Sequence, residues 1–348
     1  MVVRNNPKPC VAPIPTKRVG PVKINSAFAS GDFFVPMTTF EQTLWPSTNR
    51  GSRVTRMAGG VNVQVMGGQM TRSVILEADS CKELQAFILD LKPRMPLLKE
   101  VVRQTSRFCA FLDMTHQVVG NLIYLRFAFD TGNAAGHNMT TKAADAILKV
   151  ILQEYPYLRY VTISGNYCSD KKNAAVNGIL GRGKYAVAEV VIPNKICKTH
   201  LRADPESIVA LNIKKNLVGS IIAGGVRTAN AHFANILLAV YLSTGQDAAN
   251  IVEGSQGFVT AAVRHGDLYF SVTLPNLIVG TVGNGKDLPF VRDNLALLGC
   301  DTEGGNGAYK LAAIVAATVL CGELSLLAAQ TNVGELTRSH MCYERKKQ

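Results

Sequence analysis

The stretch Ser164-Gly165-Asn166-Tyr167-Cys168-Ser169-Asp170-Lys171-Lys172 is the most informative part of this sequence. It places one carboxylate, two amines and two serine hydroxyls in a short run of loop-like composition. Cations and hydroxyl donors at such close spacing are suited to bind an anion and to stabilise negative charge that forms during a reaction. The stretch therefore predicts a loop that contributes to a substrate-binding or catalytic site.

The size and charge of the chain limit its class. With 348 residues, of which 47% are hydrophobic, it can bury one large core or two smaller ones, and it is not a disordered protein. The net charge of +12 favours polyanionic partners, namely nucleic acid, a membrane surface or phosphorylated small molecules. Because lysines and arginines are scattered, and only Arg345-Lys346-Lys347 forms a tight basic run, no nucleic-acid partner is expected.

The sequence predicts neither a metal site nor a membrane segment. Its eight cysteines are widely spaced, without a CxxC pair or a histidine at zinc-ligand spacing, which favours a reducing, cytoplasmic setting. The segment from Met1 to Pro9 lacks the apolar region of a secretory signal. The apolar window from Leu311 to Gln330 is long enough for a membrane span but contains Glu323, so a buried core helix is the favoured interpretation.

The order of the predicted elements indicates an α+β protein. Prolines among basic residues predict an extended arm over residues 1–20. Short strands and helices alternate between about residues 74 and 162. The strands are expected at Ser73–Glu77, Leu122–Phe129 and Tyr160–Ser164, and the helices at Ser80–Asp90 and Ala143–Tyr155. Longer helical segments follow at Ala229–Leu242 and Leu311–Ala329.

Several separated stretches agree, in order along the chain, with those of one enzyme family. Besides the loop at 164–172 they are Val35–Glu41, Ser47–Gly51, Asn216–Ser220, Asn230–Asn235, Gly245–Ala249, Gly322–Leu326 and Ser339–Met341. Over roughly residues 20 to 343 the chain resembles the catalytic region of 3-hydroxy-3-methylglutaryl-CoA (HMG-CoA) reductases, in the form found in eukaryotes, archaea and some bacteria. The resemblance implies a large mixed helical CoA-binding domain, residues 21–73 and 163–348, with a C-terminal flap near 335–348. A small ferredoxin-like NADP-binding domain, residues 74–162, would be inserted into it.

The resemblance also implies the reaction, a four-electron reduction of HMG-CoA to mevalonate and CoA, and its catalytic residues. Lys171 would donate to the oxyanion that each reduction creates. Glu41 would supply a proton, and its apolar neighbours Phe40, Leu44 and Trp45 would favour its protonated form. Asp247 would bridge Glu41 and Lys171. His340 would protonate the departing CoA thiolate, since imidazole titrates near neutral pH.

Binding residues follow from the same resemblance. A substrate carboxylate calls for guanidinium or ammonium groups with hydroxyl support. The matching positions are Arg72, Ser164, Asp170, Lys172, Lys215, His232 and Asn235. His232 and Asn235 stand three residues apart, on one face of a predicted helix, so both can face the same pocket. Ser47, Asn49 and Arg50 would contact CoA.

The cofactor implied is NADPH. Ser106 and Arg107, within Thr105–Phe108, resemble the element that binds the 2′-phosphate, and they predict a preference over NADH. Other cofactor contacts would come from two glycine-rich stretches, through Asn133, Gly136 and Asn138 in the first and Gly283 and Gly285 in the second. Three residues depart from the family pattern and bear on cofactor affinity, namely Asn133, His137 and Asn284.

The family's active site is built across a subunit interface, so a homodimer or a dimer of dimers is expected. The lysine loop of one chain would face the glutamate and the aspartate of the other. A non-catalytic CoA- or nucleotide-binding relative stays open as an alternative, because the glycine motifs are altered. The run Gly178–Lys184 has the spacing of a nucleotide-triphosphate loop, although Tyr185 stands where the magnesium-binding Ser or Thr would be.

Overall fold

The computed structural model describes residues 12–301 and 305–343. Its strands are β1 (Thr16–Asn25), β2 (Gly31–Thr38), β3 (Val61–Glu77), β4 (Ala110–Val119), β5 (Leu122–Asp130), β6 (Arg159–Thr162), β7 (Gly183–Ile192), β8 (Thr228–Ala229), β9 (Gly257–Arg264) and β10 (Asp267–Leu277). Its helices are α1 (Leu44–Met57), α2 (Cys81–Leu91), α3 (Met95–Thr105), α4 (His137–Glu154), α5 (Ala175–Leu180), α6 (Asn194–Ile196), α7 (Pro205–Leu211), α8 (Ser220–Ile222), α9 (Phe233–Ser243), α10 (Ile251–Gly254), α11 (Pro289–Leu297), α12 (Gly307–Gln330) and α13 (Glu335–Tyr343). This mixture of helices and largely antiparallel strands confirms the predicted α+β class.

Strand β3 is shared by two sheets. Its first half pairs with β7, within a sheet of strand order β2-β1-β3-β7-β10-β9-β8. Its second half, from Met70 onward, pairs with β5 on one side, and from Ile75 also with β6 on the other. The register with β7 shifts between Val65 and Gly67, just before the partner changes. One continuous strand therefore connects the two sheets.

The smaller sheet has the ferredoxin-like topology that the resemblance implied. Its strand order is β4-β5-β3-β6, with all pairs antiparallel. Helices α2 and α3 make the first crossover and α4 makes the second, which gives the succession β-α-β-β-α-β. Helix α2 begins with a capping box in which Ser80 and Glu83 satisfy each other's backbone N–H groups.

Buried apolar side chains form two clusters. The first lies between Val74 and Leu158 and packs the smaller sheet against α2, α3 and α4. The second draws on residues 19–63 and 186–328 and surrounds α12. This division supports an inserted domain over 74–162, whose limits as an independent unit stay a prediction.

Helix α12 forms the centre of the larger cluster. Within the described parts of the chain it is the one helix that is long and apolar enough to cross a membrane, but 94% of its most apolar window is buried inside the protein. Helix α1 packs closely on it, because a Cβ atom on Gly51 would lie 1.9 Å from the carbonyl oxygen of Cys321. Only glycine permits this approach. It sets the middle of α1 beside the C-terminal half of α12.

The structure differs from one expectation. Residues 16–20, expected in the arm, form the first half of β1, since Thr16 to Val19 pair with β2 and Val19 is fully buried. The run Gly178–Lys184 is not a phosphate-binding loop, because α5 ends and β7 begins within it, the reverse of strand–loop–helix order. Residues 1–11, and the basic run Arg345–Lys347, lie outside the described residues.

Candidate active site

Most of the residues singled out in the sequence gather around two cavities. The glutamate pocket, about 390 Å³ in volume, lies between the start of α1, α9, the end of α12 and α13, and its lining includes Glu41, Ser47, Arg50, His232, Asn235, Ser339 and His340. The lysine pocket, about 540 Å³ in volume, is lined by residues that include Arg72, Gly136, His137, Asn138, Asp170, Lys171, Asp247, Gly283 and Lys286. The predicted catalytic residues are thus divided between two places in one chain.

Glu41 lies in the turn between β2 and α1. Its Oε2 accepts a hydrogen bond from the side-chain amide of Asn235 at 2.9 Å. The apolar neighbours enclose it only in part, since Phe40 is 74% exposed, whereas Leu44 and Trp45 are buried in the core. The carboxylate therefore stays accessible from the pocket.

A buried carboxylate that was not among the predicted site residues holds His232. Glu323 of α12 is fully buried and accepts the backbone N–H groups of Ala231 and His232 at 2.9 and 2.6 Å. His232 immediately precedes α9, outside the helix in which its spacing had placed it, and Asn235 lies in the first turn of α9, yet both line the glutamate pocket. Burial lowers the pKa of Lys215, although the charge of Glu323 opposes that shift.

Helix α13 covers one side of the glutamate pocket. It contributes Ser339 and His340 to the lining. Near the start of the same helix, Glu335 accepts a hydrogen bond from the guanidinium of Arg50 on α1. The predicted C-terminal flap therefore contacts a predicted CoA-binding residue.

The three predicted CoA contacts of α1 do not all point the same way. Arg50 donates to the Oγ and the backbone oxygen of Ser325 at 3.0 and 2.6 Å, and Ser47 donates to the same hydroxyl at 3.1 Å. Asn49 lies outside this group, because its Oδ1 accepts the backbone N–H of Gly20 at 2.8 Å. Asn49 and Arg50 both border a further cavity of about 560 Å³ on the outer side of α1.

In the lysine pocket, Lys171 forms an ion pair with Asp247. The Nζ atom lies 2.7 Å from Oδ2, and each side chain is 41% exposed. The hydrogen bond to Asp247 raises the pKa of Lys171. Burial alone would raise the pKa of Asp247, because it disfavours the ionised carboxylate. The hydrogen bond from Lys171 outweighs this effect, so the pKa of Asp247 is lowered. Asp247 is further fixed because it caps the turn Ala248–Asn250. An ammonium and a carboxylate thus face the same cavity.

This pairing corrects one expectation. The lysine loop was expected to meet the aspartate of another chain, but Lys171 and Asp247 meet within one chain because the loop folds onto the segment that follows α9. Glu41 lines the other pocket, where Asn235 is its amide partner. Asp247 was expected to bridge Glu41 and Lys171. Within one chain, Asp247 contacts Lys171 but not Glu41.

Arg72 lies near the start of the second half of β3. It donates to Thr141 Oγ1 at 2.5 Å and approaches Ser164 Oγ at 3.4 Å. Lys172 is exposed, and its Nζ donates to the backbone oxygen of Asp170 at 3.0 Å. Arg72, and not Lys172, is therefore held in place by side chains from a neighbouring element.

Asp170 lies between a guanidinium group and an imidazole ring. Its Oδ1 lies 2.9 Å from Nη2 of Arg182 and 3.6 Å from Nε2 of His137. Burial opposes ionisation, but His137 and Arg182 hold the pKa of Asp170 well below its usual range. Arg182 is fully buried and also pairs with the fully buried Glu253 at 2.7 Å. Sequence reasoning missed both members of that buried pair, because nothing in a sequence separates them from surface charges.

The two glycine-rich stretches lie side by side. Ala134 and Val282 form a parallel bridge, and the backbone N–H of Thr281 donates to the carbonyl of Asn133 at 2.8 Å. The side chain of Asn133 accepts the backbone N–H of Ala308 at the start of α12. Asn133 is therefore used to join the two stretches to α12 and does not line the lysine pocket.

The other predicted cofactor residues of these stretches lie at or near the lysine pocket. Gly136 and Gly283 have φ of 96° and 99°, a conformation that favours glycine, and both line the cavity together with Asn138. Gly285 packs behind them, against the carbonyl oxygen of Gly245. Backbone approach without side chains suits a bound nucleotide.

Ser106 and Arg107 lie away from this cavity, at the end of α3. Lys142 of α4 donates to the backbone oxygen of Thr105 at 3.0 Å, which ties the end of α3 to the helix that starts at the lysine pocket. The Arg107 guanidinium lies over the ring of Phe108, 4.6 Å from its centroid. Helix α4 thus connects the two predicted parts of the cofactor site. Within residues 12–301 and 305–343, no group of three or more His, Cys, Asp or Glu is placed to hold a metal.

The fold and the site together define an α+β protein in which an ion-paired lysine and aspartate line a cavity beside two glycine-rich stretches. A family model described as hydroxymethylglutaryl-coenzyme A reductase matches residues 10–345. The chain belongs to the hydroxymethylglutaryl-coenzyme A reductase family. This membership confirms the predicted family and the prediction that the chain is an oxidoreductase.

Individual relatives agree. The 3-hydroxy-3-methylglutaryl-coenzyme A reductase of Aeropyrum pernix is 44% identical over 331 residues, which cover 94% of this chain and 78% of that protein. The reductase of Xenopus laevis is 40% identical over 96% of this chain and 38% of its own length. The class II reductase of Streptococcus pneumoniae, solved with NADPH bound in open conformations, matches with a TM-score of 0.74 at 20% identity, over 92% of this chain and 86% of that one. That last likeness shows the fold alone.

Proposed function

We propose that the chain reduces HMG-CoA to mevalonate and CoA, in the mevalonate pathway of isoprenoid synthesis, with NADPH as reductant. The observation that carries this proposal is the ion pair of Lys171 and Asp247 in a cavity whose wall includes the glycines of both nucleotide-binding stretches. A fixed ammonium beside such a wall can neutralise charge on a carbonyl oxygen that is being reduced. When bound, NADPH supplies the hydride for each of the two reductions.

Lys171 serves both reductions. First the thioester carbonyl and later the aldehyde carbonyl gain a negative charge on oxygen, and the ammonium of Lys171 donates to that oxygen each time. A preorganised donor of this kind is worth about 100- to 1,000-fold in rate. Asp247 keeps the ammonium charged and fixes its direction, through the contact at 2.7 Å.

Glu41 and His340 handle protons. Glu41, with Asn235 as its hydrogen-bond partner, gives a proton to the alkoxide that forms in the second reduction. Between the reductions the hemithioacetal breaks into aldehyde and CoA thiolate. Because a thiol has a pKa of about 8.5, the free thiolate would attack the aldehyde again, and His340 prevents this by protonating the sulfur.

The outer cavity of α1 supports the binding of CoA phosphates. Arg50, Arg53 and Arg56 line it at successive three-residue intervals and so share one side of the helix. Guanidinium groups are suited to phosphate. Arg56 is already paired with Asp32 at 3.2 Å and Arg50 with Glu335, which leaves Arg53 as the main phosphate partner. Sequence reasoning missed Arg53, although its spacing from Arg50 was a usable signal.

A second copy of the chain would complete the site. In one chain, the lysine pocket contains the oxyanion donor, and the glutamate pocket contains both proton donors. A homodimer, or a dimer of dimers, can bring the lysine pocket of one chain against the glutamate pocket of its partner. The substrate would then contact Lys171 and Asp247 of one chain and Glu41 of the other.

The first experiment follows NADPH oxidation by absorbance with HMG-CoA present, and runs NADH alongside. Two NADPH consumed per CoA released supports the reductase. Faster oxidation of NADH would contradict the role of Ser106 and Arg107 as phosphate selectors. No oxidation of either cofactor, together with tight binding of NADPH by calorimetry, would favour the non-catalytic relative.

Mixing inactive variants tests the shared site. Glu41→Ala and Lys171→Ala chains, unfolded together and refolded at equal amounts, should regain about one quarter of the wild-type sites, because half of the dimers are mixed and each mixed dimer keeps one intact site. Lys171→Ala mixed with Asp247→Ala is the matched control. It should regain nothing, since these two residues act from the same chain. Recovery in the control but not in the first mixture would overturn the proposed division of the site.

A further inference from the structure

Lys171 is held at its backbone and at its side chain by one short segment. The segment starts at Asp247, whose carboxylate lies 2.7 Å from Lys171 Nζ. It ends in α10 at Glu253, whose Oε1 accepts the backbone N–H of Lys171 at 3.0 Å. The position of the ammonium therefore depends on both ends of the segment, of which only the first reaches the cavity.

The backbone that Glu253 holds is in an unfavourable conformation. Lys171 has φ of 56°, and Ser169 and Asn166 in the same loop have φ of 47° and 58°. Residues other than glycine avoid this left-handed region, and they stay in it only where the surroundings enforce it. The side-chain acceptor on the N–H of Lys171 is one such constraint. A second is the hydrogen bond from Asn177 Nδ2 to the backbone oxygen of Ser169 at 3.0 Å.

Glu253 is itself held by hydrogen bonds from buried side chains. It is fully buried, as is Arg182, whose Nη1 donates to the same Oε1 at 2.7 Å. The other end of that guanidinium, Nη2, lies 2.9 Å from Asp170, the residue before Lys171. Asn250 adds a third hydrogen bond to Glu253, at 3.1 Å. Two consecutive residues of the lysine loop are thus attached to one buried ion pair.

We propose that Glu253 and Arg182 are positioning residues for the catalytic loop, which act through Lys171 and Asp170 and touch no reacting atom. Neither side chain lines the lysine pocket. The inference rests on the proposed role of Lys171 as oxyanion donor. A displacement of about 1 Å at a reacting group is enough to lower a rate about 100-fold, so the pair controls turnover more than binding.

Three variants distinguish an effect on the position of the loop from an effect on the stability of the core. Glu253→Gln keeps an acceptor for the N–H of Lys171 and should lose less than about tenfold in kcat. Glu253→Leu removes the acceptor and should lose about 100-fold. The paired change Arg182→Met with Glu253→Leu replaces both charges by apolar groups, which a core tolerates better than one unpaired charge, and should show the same loss in kcat. The KM for NADPH should stay within about twofold in all three, because the glycine-rich wall is untouched.

Glu189→Leu is the matched control, since Glu189 is a partly buried acid of β7 that accepts from Tyr269 at 2.7 Å and lies outside both pockets. Its kcat should stay near wild type. A wild-type kcat in the paired variant would overturn the positioning role and leave the proposed function standing.

Hydrogen exchange of the peptide that covers residues 164–172 tests the inference without any turnover. Exchange should be faster in the paired variant than in wild type or in Glu253→Gln, with the rest of the chain unchanged. Equal exchange in all of them would contradict the inference, whatever reaction the chain catalyses. If wild type fails to reduce HMG-CoA while the exchange differs as expected, the proposed function falls and the support of the loop stands.

Discussion

The glutamate pocket and the lysine pocket are held in place by different means. In the glutamate pocket, partly exposed side chains connect four helices, as where Asn235 of α9 holds Glu41 and Arg50 of α1 holds Glu335 of α13. In the lysine pocket, the fully buried ion pair of Arg182 and Glu253 holds a loop in which several residues have a left-handed backbone conformation. The first arrangement joins separate elements to one another, and the second fixes one loop.

This difference matches the two tasks in the proposed reaction. A pocket that admits a large thioester and releases CoA needs a side that opens, and the short helix α13 forms one side of the glutamate pocket. A pocket that neutralises charge on a carbonyl oxygen needs an ammonium at one fixed point. The comparison predicts that changes in the lysine pocket affect both reductions, whereas changes on α13 affect only the step that releases CoA.

The largest effect is expected from Lys171→Ala. It removes the charge that stabilises the oxyanion in both reductions, so turnover of HMG-CoA and reduction of added mevaldehyde should each fall by at least about 100-fold. Both rates are measured as NADPH oxidation, with circular dichroism to show that the fold is intact. A variant that keeps more than about a tenth of the wild-type rate in either assay contradicts the role of Lys171.

The two pockets also differ in how much of them was predictable. Five elements around residues 73–164 follow from their periodicity, namely the second half of β3, α2, β5, α4 and β6, whereas α3 and β4 were not predicted. The reactive side chains follow from the types and order of the motif residues. The residues that support Lys171 could not be predicted. Nothing in the stretch Asn250-Ile251-Val252-Glu253 indicates that Glu253 is buried. The motifs also did not predict that Lys171 and Asp247 meet within one chain, since this contact depends on how the loop folds back.

A smaller and more selective effect is expected from His340→Ala. Loss of a general acid lowers a rate by about 100-fold or more, and here only thiolate protonation depends on it. Turnover of HMG-CoA should therefore fall clearly more than reduction of added mevaldehyde, in the same two assays. Equal losses in the two assays would mean that His340 does not protonate the thiolate, and the contrast between the pockets would fail.

The smallest effect is a pH dependence that separates the two lysines of the lysine pocket. Burial lowers the pKa of Lys286 to about 8, while its Nζ donates to the backbone oxygen of Thr244 at 3.3 Å. The hydrogen bond to Asp247 shifts the pKa of Lys171 the other way, above its usual value. As the pH rises through 8, the free chain therefore loses the charge of Lys286 first and keeps that of Lys171.

If the ammonium of Lys286 attracts the cofactor phosphates, kcat/KM for NADPH should fall as the pH rises from 7 to 9. One partly exposed charge is worth about two- to fivefold. Lys286→Gln should start at the lower value and show no such fall, whereas Lys286→Arg, which stays charged, should keep the higher value throughout. A fall in Lys286→Gln as steep as in wild type would assign the titration to another group. The pH dependence of kcat/KM would then not distinguish the charge of Lys171 from that of Lys286.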